Sequence, residues 1–289
     1  MRLSKIIALS WVVPFVLLSV GCTMPPPVKV MTFNIRYGTA PDGENRWELR
    51  RDLLIETIHA HDPDILGMQE VLLSQAEEIR AALPEYEFVG VGRDDGELGG
   101  EFSPIMFRRK LFTLKNFGYV WLSPEPDKPG VKGWDAACPR MVTWVNLQFK
   151  KEPLFDVNVI NTHFDHVGEK ARLESARIIR RMTDSMGGKP VIVMGDFNAT
   201  PDSPPYEVLT GEKGNLAELH DAHRAKVKWN TDLGTFHGFT GEQRGKRIDW
   251  ILMSRRFMTM DYEIDQREEG GRYPSDHYPV IALLRMLPT

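Results

Sequence analysis

Apolar runs of strand length alternate along this chain with longer segments of helical period. Val28–Ile35 reads as a strand ending in a loop. Arg46–Ala60 reads as an amphipathic helix with Leu49, Leu53, Leu54, Ile55 and Ile58 on one side. Asp64–Gln69 reads as a buried strand, and Leu72–Leu83 as the helix after it. Glu87–Val91, Pro104–Arg108, Phe117–Trp121, Met141–Phe149 and Phe155–Thr162 read as successive strands. Glu169–Met186 is a helix striped by Leu173, Ala176, Ile179 and Met182, and Val191–Gly195, Ile248–Met253 and Val280–Leu284 complete the strands. Asp94–Gly100, Ser123–Gly133 and Pro201–Pro205 are Gly/Pro-rich loops. Many strands, few helices and no internal repeat predict an α/β domain built of two packed sheets flanked by helices.

The first apolar run is of a different kind. Arg2 and Lys5 precede Ile6–Val20, which is interrupted only by Ser10, Pro14 and Ser19. The run is shorter than the about 20 residues a bilayer span takes, and Pro14 would break a helix in its interior. Residues 1–21 therefore read as a signal peptide. Ser19-Val20-Gly21-Cys22 resembles a bacterial lipoprotein signal, cut before a cysteine that is then acylated, although Ser19 stands where that family usually has Leu. An ordinary secretory signal cut nearby is the alternative. On the first reading, residues 22–28 carry a lipidated Cys22 and a stiff spacer, Pro25-Pro26-Pro27, and residues 29–289 form the folded domain. The expected address is the bacterial cell envelope, exported and lipid-anchored, with secretion as the alternative; a monomer is expected.

Composition is that of an ordinary globular protein. Cys138 would be the one cysteine left outside the leader and its acylation site, so no intrachain disulfide is expected. Removing residues 1–21 takes away Arg2 and Lys5 and no acid, which moves the formal charge from -4 to -6. A net-acidic chain is not built to grip polyanions without specificity, though a local basic patch stays possible.

The candidate chemistry lies at the strand ends. Asn34, Glu70, His163, Asp196 with Asn198, Asp249, and Asp276 with His277 each stand at one, and such ends can converge on one rim. Singly, each has a plainer reading as a turn, a cap or a solvated charge. In Gly195-Asp196-Phe197-Asn198, alternation puts Asp196 and Asn198 on one face and buries Phe197 opposite. An acceptor beside an amide suits activation of water and contact with a phosphoryl oxygen; an Asx turn is the alternative. His277 can move a proton or stabilise negative charge if another group holds its far nitrogen, and Asp249 is the candidate holder. Glu70 supplies a hard oxygen of the kind Mg²⁺ prefers. Glu70 as a helix cap and Asp249–Arg247 as a surface pair are the competing readings.

Thr32-Phe33-Asn34-Ile35-Arg36, Gln69-Glu70, Asn161-Thr162-His163, Gly195-Asp196-Phe197-Asn198, Arg247-Ile248-Asp249-Trp250 and Ser275-Asp276-His277 together resemble, in order, the endonuclease/exonuclease/phosphatase superfamily. The resemblance spans Val30 to about Val280 and implies a four-layered α/β sandwich with Mg²⁺- or Mn²⁺-dependent in-line attack by water. It makes Glu70 the principal metal ligand, with Asn34 and Asp276 close by. Asp196 would orient or deprotonate the water, Asn198 hold the scissile phosphate, and His277, oriented by Asp249, complete the centre. His163 would contact phosphate or leaving group, with Glu101 as its carboxylate partner and Glu97 as a competitor for that place. Arg36 stands where some members carry a metal-binding Asp, which weakens the case for a second metal. Arg140 stands where relatives often have a phosphate-contacting Arg; a salt bridge to a neighbouring loop is the alternative. Asp165 and His166 either shape the substrate pocket or begin the Glu169 helix. Trp134, His237 and Phe239 fit packing better than contact.

All the acids and the histidine of that pattern are present, which favours an active phosphoesterase over a binding module that has lost catalysis. The basic clusters, Arg108-Arg109-Lys110, Arg180-Arg181, Lys226 with Lys228, Arg244 to Arg247 and Arg255-Arg256, are small and scattered, and a nuclease would concentrate such charge at the rim. No aromatic hairpin suits entry into lipid, and the extra motif of the inositol phosphatases is missing. The substrate is thus expected to be a small phosphodiester or sugar phosphate, with a lipid headgroup or nucleic acid still open.

Overall fold

Val28 and Val30 project from one face of the first strand and Met31 and Phe33 from the other, and all four are buried, so this strand must be covered twice. A computed structural model describes residues 24–211, 218–224 and 233–288. The expected signal peptide, Cys22 and the Lys226/Lys228 pair lie outside the described residues. Among those described, the strands are β1 (Val28–Asn34), β2 (Ile65–Gln69), β3 (Tyr86–Val89), β4 (Ile105–Arg108), β5 (Phe112–Trp121) and β6 (Met141–Phe149), then β7 (Asp156–His163), β8 (Val191–Asp196), β9 (Leu219–Asp221), β10 (Asp249–Ser254), β11 (Phe257–Ile264) and β12 (Val280–Met286). The helices are α1 (Trp47–His61), α2 (Leu73–Ala82), α3 (Glu169–Ser185) and α4 (Pro204–Thr210).

The strands form two mixed six-stranded sheets, ordered β11-β12-β1-β2-β4-β3 and β5-β6-β7-β8-β10-β9. Val30, Ile65, Phe107, Val145, Val159, Ile251 and Leu284 fill the space between them. Phe33, Leu54, Ile58, Met68 and Ile79 bury the outer face of the first sheet under α1 and α2. Ile160, Ile179, Val193, Tyr206 and Trp250 do the same for the second under α3 and α4. The result is the expected four-layered α/β sandwich of two packed mixed sheets flanked by helices.

Polar groups also cross between the sheets. Asn161 Nδ2 donates to Met68 O at 2.7 Å and Pro104 O at 2.8 Å, and its Oδ1 accepts from Gln69 Nε2 at 2.7 Å. A Cβ on Gly67 would stand 2.7 Å from Met194 Cε and 2.8 Å from Asn161 Oδ1, so glycine sets the sheet separation here. A buried amide bonded at both ends, as Asn161 is, fixes how two apolar faces register.

Four elements differ from the expectations. The Pro201–Pro205 loop passes into α4, whose first two positions are Pro204 and Pro205, where a missing N–H costs no helical bond. β9 and β11 are edge strands whose exposed positions are His220 in β9 and Met258, Asp261 and Glu263 in β11, and β11 carries a register shift between Thr259 and Asp261 that breaks its alternation. β5 begins at Phe112, five residues before the expected start, through an irregularity at Leu114/Asn116.

Candidate active site

Parallel pairing of β1 with β2 and of β7 with β8 sends their C-terminal ends to one side, where antiparallel β10 and β12 begin. Asp249 is the register partner of Asp196, and His163 of Asp196 on the other flank. Gly195 lets β8 run this close to β7, because a Cβ there would lie 2.0 Å from Thr162 O. Adjacent strand ends thus carry the acids and the histidines onto one rim.

Asn34 joins the two sheets at that rim. Its Nδ2 donates to Glu70 Oε1 at 3.1 Å and to Asp196 Oδ2 at 3.0 Å, while its Oδ1 accepts from Arg36 N at 3.0 Å. In this orientation Asn34 offers nitrogen, not oxygen, to the space between the carboxylates. Glu70 Oε2 accepts from Tyr37 N at 3.1 Å, so Glu70 faces the rim instead of capping α2. Ser275 Oγ donates to Asn34 O, and the buried Arg50 guanidinium donates to Ile35 O, Arg36 O and Pro274 O. α1 thereby clamps the loop after β1 to the loop before β12.

Asp196 Oδ1 accepts from Asn198 N at 2.9 Å, so the Asx turn and the convergence on the rim both hold. Strand alternation is not what brings Asn198 in: β8 ends at Asp196, and Asn198 has a left-handed φ of 47°. Arg36 and Glu70 share that region, at φ 57° and 61°. Side chains other than glycine seldom adopt it, and strain of this kind collects at working sites. Phe197 is buried as expected, stacked on Trp250 with centroids 4.3 Å apart.

Two histidines flank Asp196 Oδ2, His163 Nε2 at 3.4 Å and His277 Nε2 at 3.8 Å. His277 Nδ1 bonds Asp249 Oδ2 at 2.9 Å. Burial opposes the charged ring, but the Asp249 carboxylate, by charge and by hydrogen bond, with Asp196 and Asp276 behind it, raises His277 to about 10. Burial first, and the Asp249 charge next, push the Asp196 carboxyl up to about 7. Asp196, Asp249 and His277 lie close enough to hold a metal. With a proton on His277 and its Nδ1 bonded to Asp249, the same three side chains form a chain of ion pairs.

His163 goes the other way. Burial, then the Arg140 and Arg93 charges, hold it well below its ordinary value. Asn198 Nδ2 donates to Phe164 O at 3.0 Å and contacts His163 Nε2 at 3.1 Å, which makes Nε2 the acceptor of a neutral ring. Glu101 approaches His163 Nδ1 to 3.8 Å, too far for a hydrogen bond, and gives both oxygens to Arg93 at 2.6 and 2.8 Å. Glu97 is exposed, so Glu101 is the carboxylate on this side.

Arg140 is buried, with Nε 3.5 Å from Asp165 Oδ2 and Nη2 3.0 Å from His166 Nδ1. Asp165 also accepts from the backbone N–H groups of Ala137, Val167 and Gly168, which together hold its carboxyl far below the usual range against the cost of burial. Of the two readings of Asp165, as a pocket residue or as the start of the Glu169 helix, these bonds favour the second: its oxygens are occupied, and it positions Arg140 and the entry to α3. Arg36 is tied to Asp42 at 2.9 Å and lies 3.8 Å from Asp276. Arg247 does not pair with Asp249; it is buried against Asp221, which also accepts from Tyr206. His237 stacks on Tyr278, Trp134 packs against the outer core, and Phe239 lies under Arg50. Arg93 and Arg50 are supports that no sequence motif marks, and Ser275 stands in its motif without a role; Arg50 and Ser275 bond backbone oxygens remote in the chain, at Pro274 and Asn34, whereas Arg93 bonds the nearby Glu101.

Comparison with known proteins puts a family to this geometry. Residues 31–277 match the endonuclease/exonuclease/phosphatase family. The chain belongs to that family. Members are hydrolases of phosphoester bonds and are generally dependent on divalent metal. A family structure from Bacteroides vulgatus is 37% identical, with a TM-score of 0.83 over 91% of this chain and 100% of that one. A mannosyl-6-phosphatase from Bacteroides thetaiotaomicron VPI-5482 is 33% identical, with a TM-score of 0.81 over 89% and 99%. Rat nocturnin is 24% identical over 92% of this chain, which spans 66% of nocturnin's length. The Ccr4 exoribonuclease subunit of Emericella nidulans is 34% identical over 76% of this chain and 42% of its own.

Proposed function

We propose that this chain hydrolyses a phosphoester by in-line attack of water, with Mg²⁺ or Mn²⁺ as cofactor. The observation that carries the reading is the contact from Glu70 through Asn34 to Asp196, with the Asp249–His277 pair beside it. Glu70 and Asp276 would hold the metal. They are hard oxygen donors, and burial with the nearby Glu70 charge raises the Asp276 carboxyl, a repulsion that a cation relieves. When bound, such an ion neutralises charge on the phosphoryl oxygens.

The protein groups divide the remaining work. Asp196, raised to about 7, is matched to take a proton from water near neutral pH. His277, kept protonated by Asp249, faces the charge that develops on the phosphoryl group. Asn198 holds the phosphate by giving it the Nδ2 hydrogen now directed at His163. Arg140 adds positive charge beside His163 from a mount fixed by Asp165.

A small phosphoester such as a sugar phosphate is the favoured substrate, supported by the mannosyl-6-phosphatase at 33% identity. The test is hydrolysis by purified protein of DNA, RNA, sphingomyelin, phosphoinositides, sugar phosphates and small diesters with Mg²⁺ or Mn²⁺. Cleavage abolished by EDTA and lowered about 10³-fold by His277→Ala is expected. No cleavage above that of Asn198→Ala would overturn the reading. We also propose export and acylation at Cys22, on the strength of the Ser19–Cys22 pattern; a Cys22→Ser protein that still partitions with membranes would count against it.

A further inference from the structure

Beside the reaction centre, α3 and the segment after Asn198 enclose a groove of about 540 Å³. Asn198 is among its lining residues, so the residue assigned to the scissile phosphate also opens onto the groove. Lys170 and Arg172 from the start of α3, Ser203, and Lys246 from the approach to β10 stand along its walls.

These cations differ from the other arginines near the rim. Arg36 is paired with Asp42, Arg93 with Glu101, Arg140 with Asp165 and Arg247 with Asp221. Among the described residues, Lys170, Arg172 and Lys246 form no ion pair. Arg172 Nη1 is anchored on Asp165 O at 2.9 Å, which fixes its guanidinium against the loop after β7. Ser203 adds a hydroxyl whose oxygen is buried without a hydrogen-bond partner; Pro204 and Pro205 supply no N–H to it. Glu169 is the single acid among the lining residues. Three cations on one groove, none of them ion-paired among the described residues, repel each other, and an anion between them removes that cost.

We propose that this groove receives a second phosphate group of the substrate, next to the one that is cleaved. The proposal rests on the phosphoesterase reading and narrows it to substrates carrying two phosphates. Two Lys point charges and an anchored Arg suit a group of two negative charges. Such a group can be a terminal phosphate of an oligonucleotide next to the scissile one or the second phosphate of a bisphosphorylated sugar or nucleoside.

The test compares wild type with Lys170→Ala/Lys246→Ala on substrates that differ by one phosphate. One arm uses a nucleoside 3′,5′-bisphosphate against its 5′-monophosphate. The other uses a dinucleotide with and without a terminal phosphate. For two-phosphate substrates kcat/KM is expected to fall about 10- to 100-fold, mainly through KM, with less than about a 2-fold change for one-phosphate substrates. Lys170→Arg/Lys246→Arg should restore most of the loss. The arm that responds identifies the source of the phosphate. Equal loss on both members of each pair, or no loss on either, overturns the proposal. Absence of all hydrolysis overturns the phosphoesterase reading instead. Calorimetric titration with the bisphosphate then decides the groove, with binding about 10-fold weaker in the double alanine variant expected and equal affinity overturning it.

Discussion

The His277 corner and the His163 corner of the rim are built around the same oxygen, Asp196 Oδ2, and are buried alike, yet they drive their imidazoles in opposite directions. Burial penalises the charged ring in both. At His277 a carboxylate with no Arg partner among the described residues, Asp249, closes to 2.9 Å and reverses that penalty. At His163 the carboxylate stands at 3.8 Å with both oxygens bound to Arg93, and Arg140 adds a second positive charge. What a buried histidine does therefore depends on whether its carboxylate is already occupied. One centre thus holds a cationic ring and a neutral ring at the same pH, as acid–base chemistry needs.

The largest effect should come from making the two corners alike. Asp249→Asn removes the charge and keeps the shape, and kcat is expected to fall about 10³- to 10⁴-fold at neutral pH. His277 should then titrate near or below its ordinary value, as read by NMR of its ring protons. A ring that stayed protonated at pH 8 in the variant would mean that Asp249 is not what raises it.

A smaller effect is expected on stability, measured in EDTA. His277 holds its proton more tightly folded than unfolded, so its contribution is complete below its ordinary 6.5 and is lost as pH rises toward 10. His163 holds its proton less tightly when folded, so its cost appears as pH falls below 6.5. Arg140→Gln should ease the acid-side loss by letting His163 rise, while lowering Tm by about 5 °C through the weakened Asp165 pair. Asp249→Asn should remove the alkaline-side loss. Thermal melts from pH 5 to 10 separate the two, and an unchanged acid limb in Arg140→Gln would show that Arg140 does not govern His163.

How much of this was legible follows from where each partner lies in the chain. Strand periodicity placed Asn34, Glu70, Asp196 and Asp249 at element ends, and parallel pairing then had to bring those ends together. The Asp249–His277 pairing was readable from the motifs alone. Arg93 was not, because its charge reaches His163, and its bonds occupy Glu101, only when the loop before β4 folds over β7. Asn198 was placed correctly for the wrong reason: a left-handed turn, not strand alternation, aims it. Asp165 stood open between a pocket residue and the start of the Glu169 helix because sequence cannot show that backbone amides from residues 137, 167 and 168 already fill its oxygens.

The sharpest use of the comparison is a substitution expected to do little. If Glu101 served His163 as Asp249 serves His277, Glu101→Gln would cost about 10³-fold or more. The structure argues otherwise, since Glu101 makes no hydrogen bond to the ring and acts by partly cancelling the Arg93 charge. Gln retains one acceptor for Arg93 and loses that cancellation, so His163 should move still lower and stay neutral. Because the neutral ring is the form already present at pH 7, kcat/KM should change by less than about 5-fold, within the range of a modest charge effect. Loss approaching that of Asp249→Asn would make the two corners equivalent, and it would place a proton on His163 during turnover that its surroundings now exclude.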